Sequence, residues 1–253
     1  MLPVCLLAAA VVAQAQASGA PPRPETLAQI DTGKLKGTPT QLAWSPDGSQ
    51  LYLQTSELDA DGKWKKPRSF VLTLGDATPR PLETAPSWAT EYWNWKSYKM
   101  PPNANSPEIQ VKQEMRARTA TESAMGGASN LGGGSIEPMG GGGTSVDAVA
   151  LRAQQQGKVP AVILTLNGET VGEFVGVPPL AGYTFGWAPK LPARLAYATT
   201  SGRLAILEAT GGKREIKETK NVILPAWSPD GATIAFLMQT AKSKYDLCVV
   251  RGF

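Results

Sequence analysis

The sequence predicts an all-β chain assembled from repeated antiparallel sheets, and two observations carry that prediction. Leu42-Ala43-Trp44-Ser45-Pro46-Asp47-Gly48-Ser49-Gln50-Leu51-Tyr52-Leu53 returns as Pro225-Ala226-Trp227-Ser228-Pro229-Asp230-Gly231-Ala232-Thr233-Ile234-Ala235-Phe236, and self-similarity of this kind marks a fold of like units. Each copy reads as a strand ending in Trp-Ser, a Pro-Asp-Gly turn and a second apolar strand, which is an antiparallel hairpin with its turn chemistry written out. The second observation is that Leu51-Tyr52-Leu53, Phe70-Val71-Leu72, Ala161-Val162-Ile163-Leu164 and Ile234-Ala235-Phe236-Leu237 are continuous apolar runs. Such runs belong to strands covered on both faces, not to a sheet wetted on one side.

The Trp-Ser-Pro-Asp-Gly pattern resembles the repeat of TolB-like β-propellers, relatives of the WD-repeat class. That resemblance implies a ring of four-stranded blades, with Trp44, Pro46, Asp47, Gly48, Trp187, Trp227, Pro229, Asp230 and Gly231 as structural positions of the repeat. Tryptophan spacing then counts the blades. From Trp187 to Trp227 is 40 residues, the length of one four-stranded blade. Phe185 to Tyr197 is therefore a decayed copy, with Lys190 and Leu191 in the places of Asp and Gly, followed by strands at Leu204 to Glu208 and Arg214 to Thr219.

From Trp44 to Trp95 is 51 residues, one blade with a longer loop at Leu58 to Pro67 and a third strand at Phe70 to Leu74. From Trp95 to Trp187 is 92 residues, either two blades or one carrying an insertion. The insertion is visible at Met125 to Gly143, which is dominated by Gly and cannot pack a core, so a disordered segment is expected at about 119–146. The remaining strands of that blade are Ile109 to Arg116, Ala161 to Leu166 and Thr170 to Val175, with Asn167-Gly168 as a hairpin turn.

Four blades of about four strands are thus recognisable. The last has strands at Thr233 to Gln239 and Asp246 to Val250 but lacks a fourth, while Thr26 to Asp31 is a spare strand at the other end. Joining the two would close the ring and hide exposed edges. The alternatives are an open arc or a fragment that needs a partner to cover its edge.

At 253 residues and 42% hydrophobic composition the chain can bury one sizeable core. Leu2 to Val12 is an apolar run too short to span a bilayer, and Ala13-Gln14-Ala15-Gln16-Ala17 follows with small residues at alternate positions. This reads as a signal peptide over 1–17, although no basic residue precedes the run, with a propeller over 18–253 and no membrane insertion after cleavage. Removal of 1–17 leaves Cys248 as the single thiol, so no intramolecular disulfide forms. An exported, disulfide-free chain suits a periplasmic or secreted bacterial protein. Cys248 lies in an apolar strand and reads as a small core residue. The 25 basic and 21 acidic residues are dispersed. The clusters Lys63, Lys65, Lys66 and Arg116, Arg118 form no stripe for nucleic acid.

The chain contains no histidine, which removes the Ser-His-Asp and Cys-His nucleophile systems and the commonest zinc ligand. No catalytic residue, metal or cofactor is assigned. Glu57-Leu58-Asp59-Ala60-Asp61-Gly62 loosely matches the start of a calcium loop, but Arg68 stands at the position that needs a bidentate Glu; it reads as a polar loop. Asp47 and Asp230 read as turn residues whose carboxylates bond the turn's own amides.

The unusual feature is the aromatic stretch from Trp88 to Tyr98. On a strand, Trp93 and Trp95 share one face and Tyr92 the other. Trp88, Tyr92, Trp93 and Trp95 are the candidate surface for stacking a partner or ligand, with a wedge between blades as the structural alternative. The expected function is a non-catalytic exported propeller that recognises another envelope protein or a small ligand. The alternative is a carbohydrate- or peptide-binding module, or a fragment of a larger propeller-containing hydrolase. A third reading, an enzyme using carboxylates alone, has no pair singled out by spacing.

Overall fold

The computed structural model describes residues 22–59, 64–91, 108–117, 158–175, 185–199, 201–210 and 212–253. The expected signal peptide, the Gly-rich insertion and Tyr92 to Tyr98 lie outside these residues.

The chain is all-β and forms four antiparallel sheets. β1 (Glu25–Asp31) leads through a single turn of helix, α1 (Thr32–Leu35), into a sheet of β2 (Thr38–Trp44), β3 (Gln50–Leu58), β4 (Trp64–Thr73) and β5 (Asp76–Leu82). β6 (Ile109–Ala117), β7 (Lys158–Leu166) and β8 (Glu169–Val175) make a sheet of three strands among the described residues. β9 (Phe185–Trp187), β10 (Arg194–Ala198), β11 (Leu204–Glu208) and β12 (Lys213–Ile216) make the next. β13 (Val222–Trp227), β14 (Thr233–Ala241) and β15 (Lys244–Arg251) complete the set, and β1 adds to their free edge by pairing with β15. The spare N-terminal strand therefore occupies the empty place in the last sheet. Thr26 lies opposite Cys248, and Ile30 opposite Tyr245.

The apolar runs are explained by what covers them. Along β14, Ala235 and Leu237 face the sheet of β2–β5, where they pack in a cluster with Leu42, Trp44 and Leu53. Ile234 and Phe236 face the other way, into a cluster with Ala196, Ile206 and Val250. The sheet of β9–β12 is likewise covered on its second side, where Leu195, Tyr197 and Leu207 meet Ile109 and Leu164. Alternate side chains feed two cores, so every position in the central run Ile234–Leu237 is apolar. Each large side chain so buried contributes about 1.5–3 kcal/mol. The stacking order is β2–β5, the last sheet, β9–β12, then β6–β8, with β13 touching both β2 and β9.

Two boundaries differ from the sequence reading. The loop expected at Leu58 to Pro67 is strand at Leu58 and from Trp64 to Pro67, because β3 and β4 extend as a hairpin in which Glu57 is the register partner of Lys65 and Leu58 that of Trp64. Pro67 is tolerated because the register shifts between Thr55 and Glu57, with Lys66 at φ 52°; a bulge needs no N–H from the residue it displaces. The strand expected at Arg214 to Thr219 stops at Ile216. The Thr219 hydroxyl takes over there, donating to the Ile216 carbonyl at 2.6 Å and accepting the Leu204 amide at 2.9 Å.

Candidate functional site

The repeated turns are closed hydrogen-bond systems. Ser45 Oγ donates to Asp47 Oδ1 at 2.5 Å and accepts the Gln50 amide at 2.9 Å. Asp47 also accepts the Ser49 amide at 3.1 Å and the Ser49 hydroxyl at 2.7 Å. In the second copy Ser228 Oγ donates to Asp230 Oδ1 at 2.5 Å and accepts the Thr233 amide at 2.9 Å, while the Ala232 amide reaches Asp230 at 3.0 Å. Gly48 and Gly231 both sit at φ 72°, the left-handed conformation that glycine adopts without a Cβ clash. The Ser45 and Ser49 hydroxyls, then the Ser49 amide, lower the Asp47 pKa to about 2. Asp230 is lowered by the Ser228 hydroxyl and then the Ala232 amide. These are turn carboxylates, and a carboxylate held so acidic is a poor general base.

The motif tryptophans join neighbouring sheets. Trp44 Nε1 donates to the Ala226 carbonyl at 2.9 Å, and Trp227 Nε1 to the Gly186 carbonyl at 2.9 Å. In both cases the acceptor is the residue just before the tryptophan of the adjacent sheet. Trp187, the third copy, is buried in the core shared with β6–β8.

The turn after Trp187 departs from the other two. The backbone pair survives, with the Ala188 amide bonding the Arg194 carbonyl at 2.8 Å as Ser45 bonds Gln50 and Ser228 bonds Thr233. The Ser–Asp pair does not survive, since Ala188 and Lys190 replace it. Trp44 pairs with Leu51 and Trp227 with Ile234, seven positions on in each case, whereas Trp187 pairs with Leu195, eight on. The Arg194 guanidinium lies over the Trp227 ring, 4.8 Å from its centroid, and Nη2 donates to the Gly231 carbonyl at 2.9 Å. Phe253 meets the same indole edge to face at 5.4 Å. Nothing local in the sequence signals this stack.

Of the four aromatic candidates, Trp88 is described and Tyr92, Trp93 and Trp95 are not. Trp88 lies in a helical turn at 87–91, half-buried, with its ring 6.2 Å from that of Tyr52 at an interplanar angle of 84°. Gln41 Nε2 ties this turn to β2 by donating to the Ala89 carbonyl at 2.9 Å. Trp88, Ala89 and Leu82 thereby cover the face of the first sheet that carries Ala43 and Tyr52.

The carboxylates of the long hairpin are ion-paired, Glu57 with Lys66 at 3.0 Å and Arg68 at 2.8 Å, and Asp59 with Lys65 at 2.5 Å. Lys66 and then Arg68 lower the Glu57 pKa. Arg116 pairs with Glu173. Among the described residues no three acidic or thiol side chains come together as metal ligands do. Cys248 is fully buried, and burial pushes its pKa up to about 11.

No family model and no curated protein matches this sequence. Among solved structures, an acylaminoacyl peptidase in complex with Z-Gly-Gly-Phe-chloromethyl ketone is similar over 85% of this chain, with 11% identity and a TM-score of 0.25. This chain spans 32% of the length of that peptidase chain.

Proposed function

We propose that this protein is a four-bladed propeller of the TolB-like kind, closed by β1 in the last blade. In this reading it is exported to the bacterial periplasm and works by recognising an envelope protein or a small ligand, without catalysis. The observation that carries the reading is the seam pattern. Two successive repeats pin their sheets by the same indole-to-carbonyl bond, Trp44 to Ala226 and Trp227 to Gly186, so one arrangement is propagated from sheet to sheet. Propagation of one seam gathers the Trp-Ser-Pro-Asp-Gly turns on a common rim, where loops on a rigid scaffold are free to bind. Trp88, Tyr92, Trp93 and Trp95 are the proposed aromatic part of the binding surface.

The test is affinity co-purification of the full-length exported protein from its own cell envelope after mild cross-linking, beside a Trp93→Ala/Trp95→Ala variant checked for folding by near-UV circular dichroism. A defined partner that the folded variant loses supports recognition through the aromatic stretch. A partner kept by the variant removes the stretch from the reading. Absence of a partner from both samples overturns protein recognition in favour of a small-ligand module or a piece of a larger hydrolase.

A further inference from the structure

One of the three repeat turns has given up the chemistry that stabilises the other two, and what replaced it points outward. Lys190 stands where the others have Asp, and Leu191, where they have Gly, is 59% exposed, the exposed large apolar side chain among the described residues. Lys190 and Arg194 converge on the neighbouring turn, since a Cβ on Gly231 would lie 3.8 Å from Lys190 Cβ and 3.1 Å from Arg194 Nη2.

Neither cation takes a carboxylate in an ion pair among the described residues. The nearby anions act on these cations only through space, Asp230 being lowered, after its Ser228 and Ala232 bonds, in part by the charge of Lys190, and Arg194 feeling that of Glu208. Their direct contacts lie elsewhere. Asp230 is held by Ser228 and Ala232, and Glu208, opposite Arg194 on β11, pairs with Arg214 at 3.7 Å. Arg194 Nε is buried without a hydrogen-bond partner, and of the two terminal nitrogens only Nη2 is bonded among the described residues. Stacking on Trp227 fixes the plane of the guanidinium, which pre-organises it for a carboxylate. A sequence breaks a local stabilising rule where function uses the position.

We infer that Lys190, Leu191 and Arg194 form a docking point for an extended acidic segment of a partner protein, with a carboxylate at the two cations and a neighbouring apolar side chain against Leu191. The inference rests on the recognition reading and names the partner chemistry, but it is independent of the aromatic stretch.

The probe is a random heptapeptide library displayed on phage and selected on the immobilised protein from Ser18 onward. The strongest binders are then synthesised and titrated against wild type, Leu191→Ser, and the triple variant Ala188→Ser/Lys190→Asp/Leu191→Gly. The triple variant carries the side chains of the other turns in a turn one residue longer, so its fold is checked by Tm and near-UV circular dichroism before titration, and Leu191→Ser serves as the milder second variant. The expected result is enrichment of Asp or Glu beside Leu, Ile or Phe, an affinity lowered about tenfold or more in the triple variant, and weakening by salt. Enriched peptides without acidic residues, or equal affinity for wild type and triple variant, overturn the docking point and leave co-purification to judge recognition itself. Selection of no peptide, with a partner still captured from the envelope, overturns this site alone.

Discussion

The indole nitrogen of Trp227 donates to the carbonyl oxygen of Gly186 at 2.9 Å, joining two sheets through residues 41 positions apart. Trp44 repeats the bond to Ala226. Replacing either tryptophan by Phe keeps most of the apolar ring and removes the donor, leaving a buried carbonyl unpaired. Each change is expected to lower stability by about 1–3 kcal/mol, read as a lower urea midpoint at unchanged slope. Midpoints equal to wild type would take these bonds out of the seam.

The turn carboxylates make stability sensitive to acid. Asp47 is lowered in the folded state from 3.8 to about 2, and Asp230 is lowered as well. A lowered carboxyl supports the fold above its unfolded pKa and loses that support as pH falls through the folded one. The urea midpoint should therefore decline as pH drops from about 4 to about 2. The double variant Asp47→Asn/Asp230→Asn should show a shallower decline over that window, and an identical pH profile would refute the assignment.

Cys248 should be inert while the protein is folded. Its pKa is raised from 9.0 to about 11 by burial, partly offset by the Thr26 hydroxyl, so the thiolate that alkylating reagents need is scarce at neutral pH. In protein from Ser18 onward, iodoacetamide labelling should follow global unfolding and accelerate with urea. The same shift adds stability below about pH 9 that is lost toward about pH 11. Rapid labelling of the native protein would contradict the burial of β15.

Gly37 is required by its surroundings. It sits at φ 124°, and a Cβ there would lie 2.7 Å from the Ser56 carbonyl oxygen. Gly37→Ala should cost about 1–3 kcal/mol, measured by thermal or urea unfolding. Gly75→Ala, at φ 94° with nothing within 4 Å, should cost less; equal losses would show that backbone strain alone decides both sites.

What could be read from the sequence was local or repeated. Pro-Asp-Gly turns, the Asn167-Gly168 hairpin and continuous apolar runs each encode their own backbone, so strands and pairings followed. The place of β1 followed from matching a spare strand to an incomplete blade. The strand residues within the loop expected at Leu58 to Pro67 were not legible, because the bulge that accommodates Pro67 is set by the register with the partner strand. Arg194 over Trp227 joins residues of different sheets, and on β10 Arg194 has the pattern of any solvated cation. Trp88 on Tyr52 was equally hidden, because the helical turn at 87–91 sets its direction.

Both functional proposals stand on a scaffold in which the first strand belongs to the last sheet, and one cross-link examines that pairing. Thr26 and Cys248 are register partners, with Thr26 Oγ1 3.6 Å from Cys248 Sγ. In protein from Ser18 onward, Thr26→Cys should close an intramolecular disulfide when the chain is refolded from urea under mild oxidation, where both thiols are accessible before the strands pair. It would consume both thiols, speed migration on a non-reducing gel and stabilise the fold by up to about 5 kcal/mol in the chain-entropy description. Thiols that stay free in the folded variant, or that link two chains, would show that β1 does not complete the sheet of β13–β15, and the proposed ring closure would fall with it.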